Sequence, residues 1–96
     1  MSEHAQALNE LNSSAGSPWQ IRDNQLSKSF RFPDFPSAFG FMSTVALHAE
    51  KMNHHPDWTN VYSQVHIALT THDAGGITEK DFQLAKVIEK SAKGIS

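Results

Sequence analysis

Ninety-six residues, 39% of them hydrophobic, suffice for one folded domain with a modest core and are too few for two. Eight Lys+Arg against ten Asp+Glu, with no run of like charges, lack the basic patch that a nucleic-acid binder uses against phosphate, and zero cysteines exclude disulfides, thiolate metal sites and a cysteine nucleophile. No apolar run approaches the about 18 residues of a membrane span, and the N-terminal MSEHAQALNE has neither the basic nor the apolar region of a signal peptide, so a soluble, cytoplasmic protein without membrane or nucleic-acid partners is expected.

In chain order, Ala5, Leu8 and Leu11 at helical spacing predict a short helix over 3–12, ended by the small and turn-forming residues NSSAGSP. WQIR (19–22) and QLSKSFRF (25–32) alternate apolar and polar side chains around the turn pair Asp23-Asn24, which predicts a β-hairpin with Leu26, Phe30 and Phe32 on one face. Lys28 interrupts that face and is expected near a sheet edge. Pro33 closes the strand, and Asp34 is placed to cap a helix that tolerates Pro36 in its first turn. Ala38, Met42, Val45, Ala49 and Met52, with Phe41 beside them, form the stripe of an amphipathic helix packed on a core.

Pro56 ends that helix, because the residue before a proline is driven out of helical conformation; His55 is therefore extended. NVYSQVHIALTTH (60–72) carries strand-forming residues, with Val65, Ile67 and Leu69 on one face and His66, Ala68, Thr70 and His72 on the other. A bend at Ser63-Gln64 would pair it with residues 59–62. After the loop DAGG, Thr78 and Asp81 make a capping box for a final helix packed through Phe82, Leu84, Ala85 and Ile88. The order predicts an α+β fold: a layer of antiparallel sheet with the longer helices on one face. The bare face and edges of such a sheet favour self-association.

Four of the six histidines, His54, His55, His66 and His72, fall within nineteen positions. Adjacent His54 and His55 diverge, no HxH or HExxH pair is present, and His66 and His72 on one extended strand would stand roughly 20 Å apart, so a metal site is not expected. His54 lies where a helix ends and a cation is favoured, and Glu50, four residues earlier, is placed to face it. If the chain folds back, His72 meets the pair, and three imidazoles can move protons around a small substrate without a metal. The alternative is that His54 satisfies helix-end carbonyls while His55 and His72 are solvated and Asp81 is only a cap. His48, His66 and His4 have no assignable catalytic position; His66 would lie on the open sheet face and His4 on a mobile terminus.

The stretch EKMNHHPDWTNVYSQVHIALTTHDAGGITEKD, with a Glu before His-His-Pro, an aromatic after it, a further His and a downstream Asp, resembles the signature of the pterin-4a-carbinolamine dehydratase family. FPSAFGFMSTVALHAEKMNHHPDW resembles that family's first long helix and the loop after it. The resemblance runs from about Trp19 to the C-terminus, leaving 1–18 as a short helix and loop ahead of a 19–96 dehydratase domain, one domain overall. It implies a two-layer ββαββα fold with a four-stranded antiparallel sheet. It also implies dehydration of 4a-hydroxytetrahydropterin to quinonoid dihydropterin, which recycles the cofactor of aromatic amino-acid hydroxylases. It maps catalytic roles onto His54, His55, His72 and Asp81, substrate contact onto the histidines and Glu50, and requires no metal or other cofactor. The implied partners are a pterin substrate and further copies of the chain, as a homodimer or homotetramer. Animal members of the family also act as dimerisation cofactors for a homeodomain transcription factor, so a non-enzymatic interaction module is the competing expectation.

Overall fold

A computed structural model describes residues 4–95; residue 3, the first of the expected N-terminal helix, lies outside them. The elements are α1 (Ala5–Ser13), β1 (Gln20–Arg22), β2 (Gln25–Arg31), α2 (Phe35–Met52), β3 (Asp57–Val61), β4 (Gln64–Leu69), a single 3-10 turn at His72–Ala74, and α3 (Glu79–Ile95). The strands form one antiparallel sheet in the order β1-β2-β4-β3. This is the expected α+β arrangement, with α2 and α3 packed on each other and on the central strands β4 and β2. Among the described residues no helix is long and apolar enough to cross a membrane.

The local chemistry explains the joints. Asp23 and Asn24 both take left-handed φ (52° and 63°), the conformation that a two-residue hairpin turn needs and that Asx residues tolerate. The second hairpin turns at Tyr62 and Ser63, with Tyr62 at φ 51°, one residue earlier than the expected Ser63-Gln64 bend; Val61 then pairs with Gln64. Its first strand begins at Asp57, directly after Pro56, rather than at residue 59. Asp34 caps α2, its Oδ1 accepting from the Ser37 backbone N–H at 2.9 Å. Ser37, through its side chain first and its backbone second, holds the Asp34 carboxyl below the usual carboxylate range.

The register decides the two faces. Leu26, Phe30, Val65, Ile67 and Leu69 point toward the helices and are buried. They meet Phe41, Val45 and Ala49 from α2 and Phe82, Leu84, Ala85 and Ile88 from α3. Phe41 stands 5.1 Å from Phe30 and 4.8 Å from Phe32 between ring centroids. Leu11 of α1 and Trp19 join the same cluster, so the N-terminal helix shares the core. The His4 ring, expected on a mobile terminus, tilts against Phe82 at 5.8 Å.

The outer face of the sheet carries Gln20, Arg22, Ser27, Ser29, Arg31, Gln64 and His66, by the same alternation. It is bare as expected and mostly polar, with Val61 exposed on it beside Gln64; Phe35, Phe39 and Leu47, also large and exposed, lie on α2. Pairing with β1 stops at Ser27, just short of Lys28, yet that lysine is buried rather than placed at a wet edge. Its ammonium makes an ion pair with Glu89 of α3, and Trp19 Nε1 donates to the same Glu89 oxygen at 2.8 Å.

Two stability predictions follow from these charges. Asp34 is depressed when folded, so its contribution is present above the unfolded carboxylate value and lost as pH falls through the folded one. Asp34→Ala is expected to melt below wild type at neutral pH, with the gap closing in acid. Glu89→Ala strands a buried ammonium and is expected to cost about 3–5 kcal/mol. The double change Lys28→Met with Glu89→Leu should cost less than that single one. Thermal melting at neutral and acid pH checks the first, and urea titration at fixed protein concentration the other two variants.

Candidate active site

Helix α2 ends with Asn53 in the left-handed region (φ 55°), while the His54 N–H returns to Ala49 O at 3.0 Å. This six-to-one closure reverses the chain at once, and Pro56 prevents the helix from resuming. The two histidines that follow are thereby sent to opposite sides. His54 turns inward and is 9% exposed, its Nε2 lying 2.6 Å from Asp81 Oδ1. His55 stays outside, its Nε2 3.0 Å from Glu50 Oε1 with both side chains exposed. Glu50 thus faces His55 and not His54 as expected, because the left-handed residue at 53 takes His54 off the helical face that the i, i+4 argument assumed.

Asp81 occupies the third position of α3 and is 0% exposed. Its Oδ2 accepts from the Thr78 backbone N–H at 2.8 Å, half of the expected capping box, and from Thr71 Oγ1 at 2.9 Å. A carboxylate removed from water needs such donors on both oxygens. Because an ionised carboxylate only accepts, the His54 proton sits on Nε2. Among the described residues no group bonds His54 Nδ1 and no buried side-chain nitrogen or oxygen lacks a partner, so Nδ1 meets solvent. The pair therefore points one fixed nitrogen outward, the arrangement by which a carboxylate sets an imidazole's tautomer in acid–base sites.

His72 reaches the site from the other direction. It is exposed and belongs to the 3-10 turn rather than to the regular strand expected through residue 72. β4 stops at Leu69, and Thr71 then bridges to Gly76, donating to Gly76 O at 2.9 Å and accepting from Gly76 N at 3.3 Å. Gly75 closes the turn with φ 75°. A Cβ on Gly76 would come within 2.8 Å of the Asn24 side chain, whose Nδ2 donates to Gly75 O at 2.8 Å. The loop carrying His72 is thus held against the β1–β2 turn.

His54, His55 and His72 line one open cleft of about 530 Å³, together with Asp57, Asp73 and Lys80. Asp81 stands behind His54 and Glu50 beside His55; neither lines the cleft. The sequence-level reading missed Thr71, Asp57, Asp73 and Lys80. Thr71 carried no signal beyond its position next to His72, whereas Asp57 and Asp73, each directly following a candidate residue or its proline, were open to notice. His66 lies on the outer sheet face, bonded through Nδ1 to Ser29 Oγ at 2.8 Å, and His48 is exposed on α2. Among the described residues no three His, Asp or Glu side chains are grouped to hold a metal ion.

Comparison with known proteins bears on the family and the fold. The family model for pterin 4 alpha carbinolamine dehydratase matches residues 2–91, taking in the N-terminal helix as well as the histidine motif. A Rhizobium johnstonii protein provisionally named pterin-4-alpha-carbinolamine dehydratase is 58% identical over 78 residues, 79% of this chain and 77% of that one. A Solibacter usitatus protein with the same provisional name is 55% identical over 78 residues, 81% and 82% of the two chains. The crystal structure of a Brucella melitensis transcriptional coactivator/pterin dehydratase is similar with a TM-score of 0.81 at 39% identity, covering 96% of this chain and 97% of that one. A pterin dehydratase-like RuBisCO assembly factor of the alpha-carboxysome, 23% identical with a TM-score of 0.64 over 77% of this chain and 86% of that one, shares the fold alone. The chain belongs to the pterin 4 alpha carbinolamine dehydratase family, whose name denotes a lyase.

Proposed function

We propose that the chain removes water from 4a-hydroxytetrahydropterin by histidine acid–base catalysis, giving quinonoid dihydropterin. The observation that carries this reading is the meeting of His54, His55 and His72 at one cleft, with His54 backed by a buried carboxylate. The cleft volume of about 530 Å³ suits a bicyclic ligand, being within the range of small-molecule sites. In the reaction the N5–H proton leaves to an imidazole and N5 forms a double bond to C4a. The C4a–O bond breaks with its electrons on oxygen, and the hydroxyl departs as water after receiving a proton.

His54 is the leading proton-transfer residue. With Nε2–H committed to Asp81, its neutral ring offers the Nδ1 lone pair, and the same carboxylate steadies the imidazolium that forms. His55, braced by Glu50, and His72 position the hydroxyl and share the opposite proton transfer. Asp81 orients the His54 ring while also starting α3. The same reading makes the chain a cytoplasmic homodimer or homotetramer, with residues 1–18 leading into a 19–96 catalytic domain. It serves the recycling of the pterin cofactor used by aromatic amino-acid hydroxylases, and needs no cofactor of its own. The competing reading, an interaction module, draws on the exposed Phe35, Phe39 and Leu47 of α2.

Enzymatically generated 4a-hydroxytetrahydropterin, followed by ultraviolet absorbance, tests the proposal. Wild type should accelerate its decay with or without EDTA. His54→Ala should lose about 10²–10⁴-fold of the acceleration with its circular dichroism unchanged. A wild-type rate equal to buffer would leave the interaction module ahead.

A further inference from the structure

Donor counting around Asp81 leaves only one arrangement of protons. The Thr71 hydroxyl has one hydrogen and gives it to Asp81 Oδ2 at 2.9 Å. Its contact with Thr78 Oγ1, at 2.7 Å, must then run the other way, Thr78 donating and Thr71 accepting. Thr78 Oγ1 in turn accepts from the Lys80 backbone N–H at 3.3 Å. The chain of bonds therefore points from the start of α3, through Thr78 and Thr71, into the carboxylate that holds His54. Thr71 is also the residue directly before His72, and its backbone closes the bridge to Gly76 that shapes the His72 turn. One side chain thus joins the two halves of the cleft.

We propose that Thr71 is a positioning residue for the dehydration: its hydroxyl fixes Asp81, and through it the His54 proton, while holding His72 in register with that pair. The inference rests on the dehydratase reading of the cleft and names a residue which that reading does not need. Two consequences follow. Removing the hydroxyl takes one of two donors from Asp81 Oδ2 and the acceptor from Thr78, freeing the carboxylate to rotate. It also loosens the anchoring of His72. The other ionisable groups around His54 in the cleft, His55, Asp57, His72, Asp73 and Lys80, remain in place.

Thr71→Val keeps the branched shape and removes the hydroxyl; Thr71→Ser keeps the hydroxyl. The loss of one hydrogen bond to a charged group is expected to lower kcat about ten- to a hundred-fold in Thr71→Val, with KM changed less than about threefold. Thr71→Ser should stay within about threefold of wild type in both. Should Thr71→Val fail to fold, Thr71→Ala removes the same hydroxyl without the second branch. In parallel, nitrogen-15 spectra of the His54 ring should show an Nε2-protonated tautomer in wild type and Thr71→Ser, and mixed tautomers with faster proton exchange in Thr71→Val. Wild-type kcat and an unchanged His54 spectrum in Thr71→Val would overturn the proposal, as would a loss shared equally by Thr71→Ser. A wild-type chain without dehydratase activity would remove the functional reading, while the ring spectra would still decide whether Thr71 governs the His54 proton.

Discussion

A carboxylate with no exposed surface organises this molecule. Asp81 is fully buried, and its charge is stabilised by the donors that occupy both oxygens. Those donors come from three separate places: His54 just after α2, Thr71 just after β4, and Thr78 at the start of α3. Satisfying one buried group therefore fixes the relative positions of three chain segments, and the cleft lies where they meet. The capping of α3 and the orientation of an imidazole are two uses of the same carboxylate.

Helix α3 repeats the device two turns further along, at Glu89. Asp81, Ala85, Ile88 and Glu89 share its buried face, as helical spacing requires, and Ala92 continues the packing beyond Glu89. Asp81 joins α3 to the end of α2 and to the His72 turn; Glu89 joins it to Lys28 on β2 and to Trp19. Phe82, Leu84, Ala85 and Ile88, between the two acids, are buried in the core. Each acid would be left unsatisfied by a shift of the helix along the sheet. The helix is thereby held in register, and the site with it.

Much of this was legible in the sequence because periodicity survives folding. The alternation in β2 and β4, the apolar stripe of α2, the Asx turn at 23–24, the capping role of Asp34 and the Asp81 half of the Thr78–Asp81 box all follow from local chemistry, and each is present. What local rules missed depended on tertiary partners. Glu50 was paired with the wrong histidine because a single left-handed residue, Asn53, breaks helical spacing. Lys28 looked like an edge residue because nothing near it in sequence reveals Glu89, sixty-one positions away. The second hairpin slipped by one because Tyr62 accepts a positive φ that its residue type disfavours. Thr71 was silent because a threonine in a strand is ordinary until its hydroxyl finds a buried acid. The convergence of His72 with His54 and His55 was legible only on the condition that the chain folds back, and family resemblance then favoured it, since no spacing rule brings residues 54 and 72 together.

The account stands or falls on His54 and Asp81 working as one unit rather than as neighbours. A kinetic cycle tests this directly: dehydration rates for His54→Ala, Asp81→Asn and the double variant, each checked for folding. If the carboxylate acts only through the ring, the double variant should be no slower than His54→Ala alone, within about threefold, as happens for groups that function together. Losses that instead multiply, with Asp81→Asn slowing a chain that already lacks the imidazole by its full single-variant factor, would contradict it.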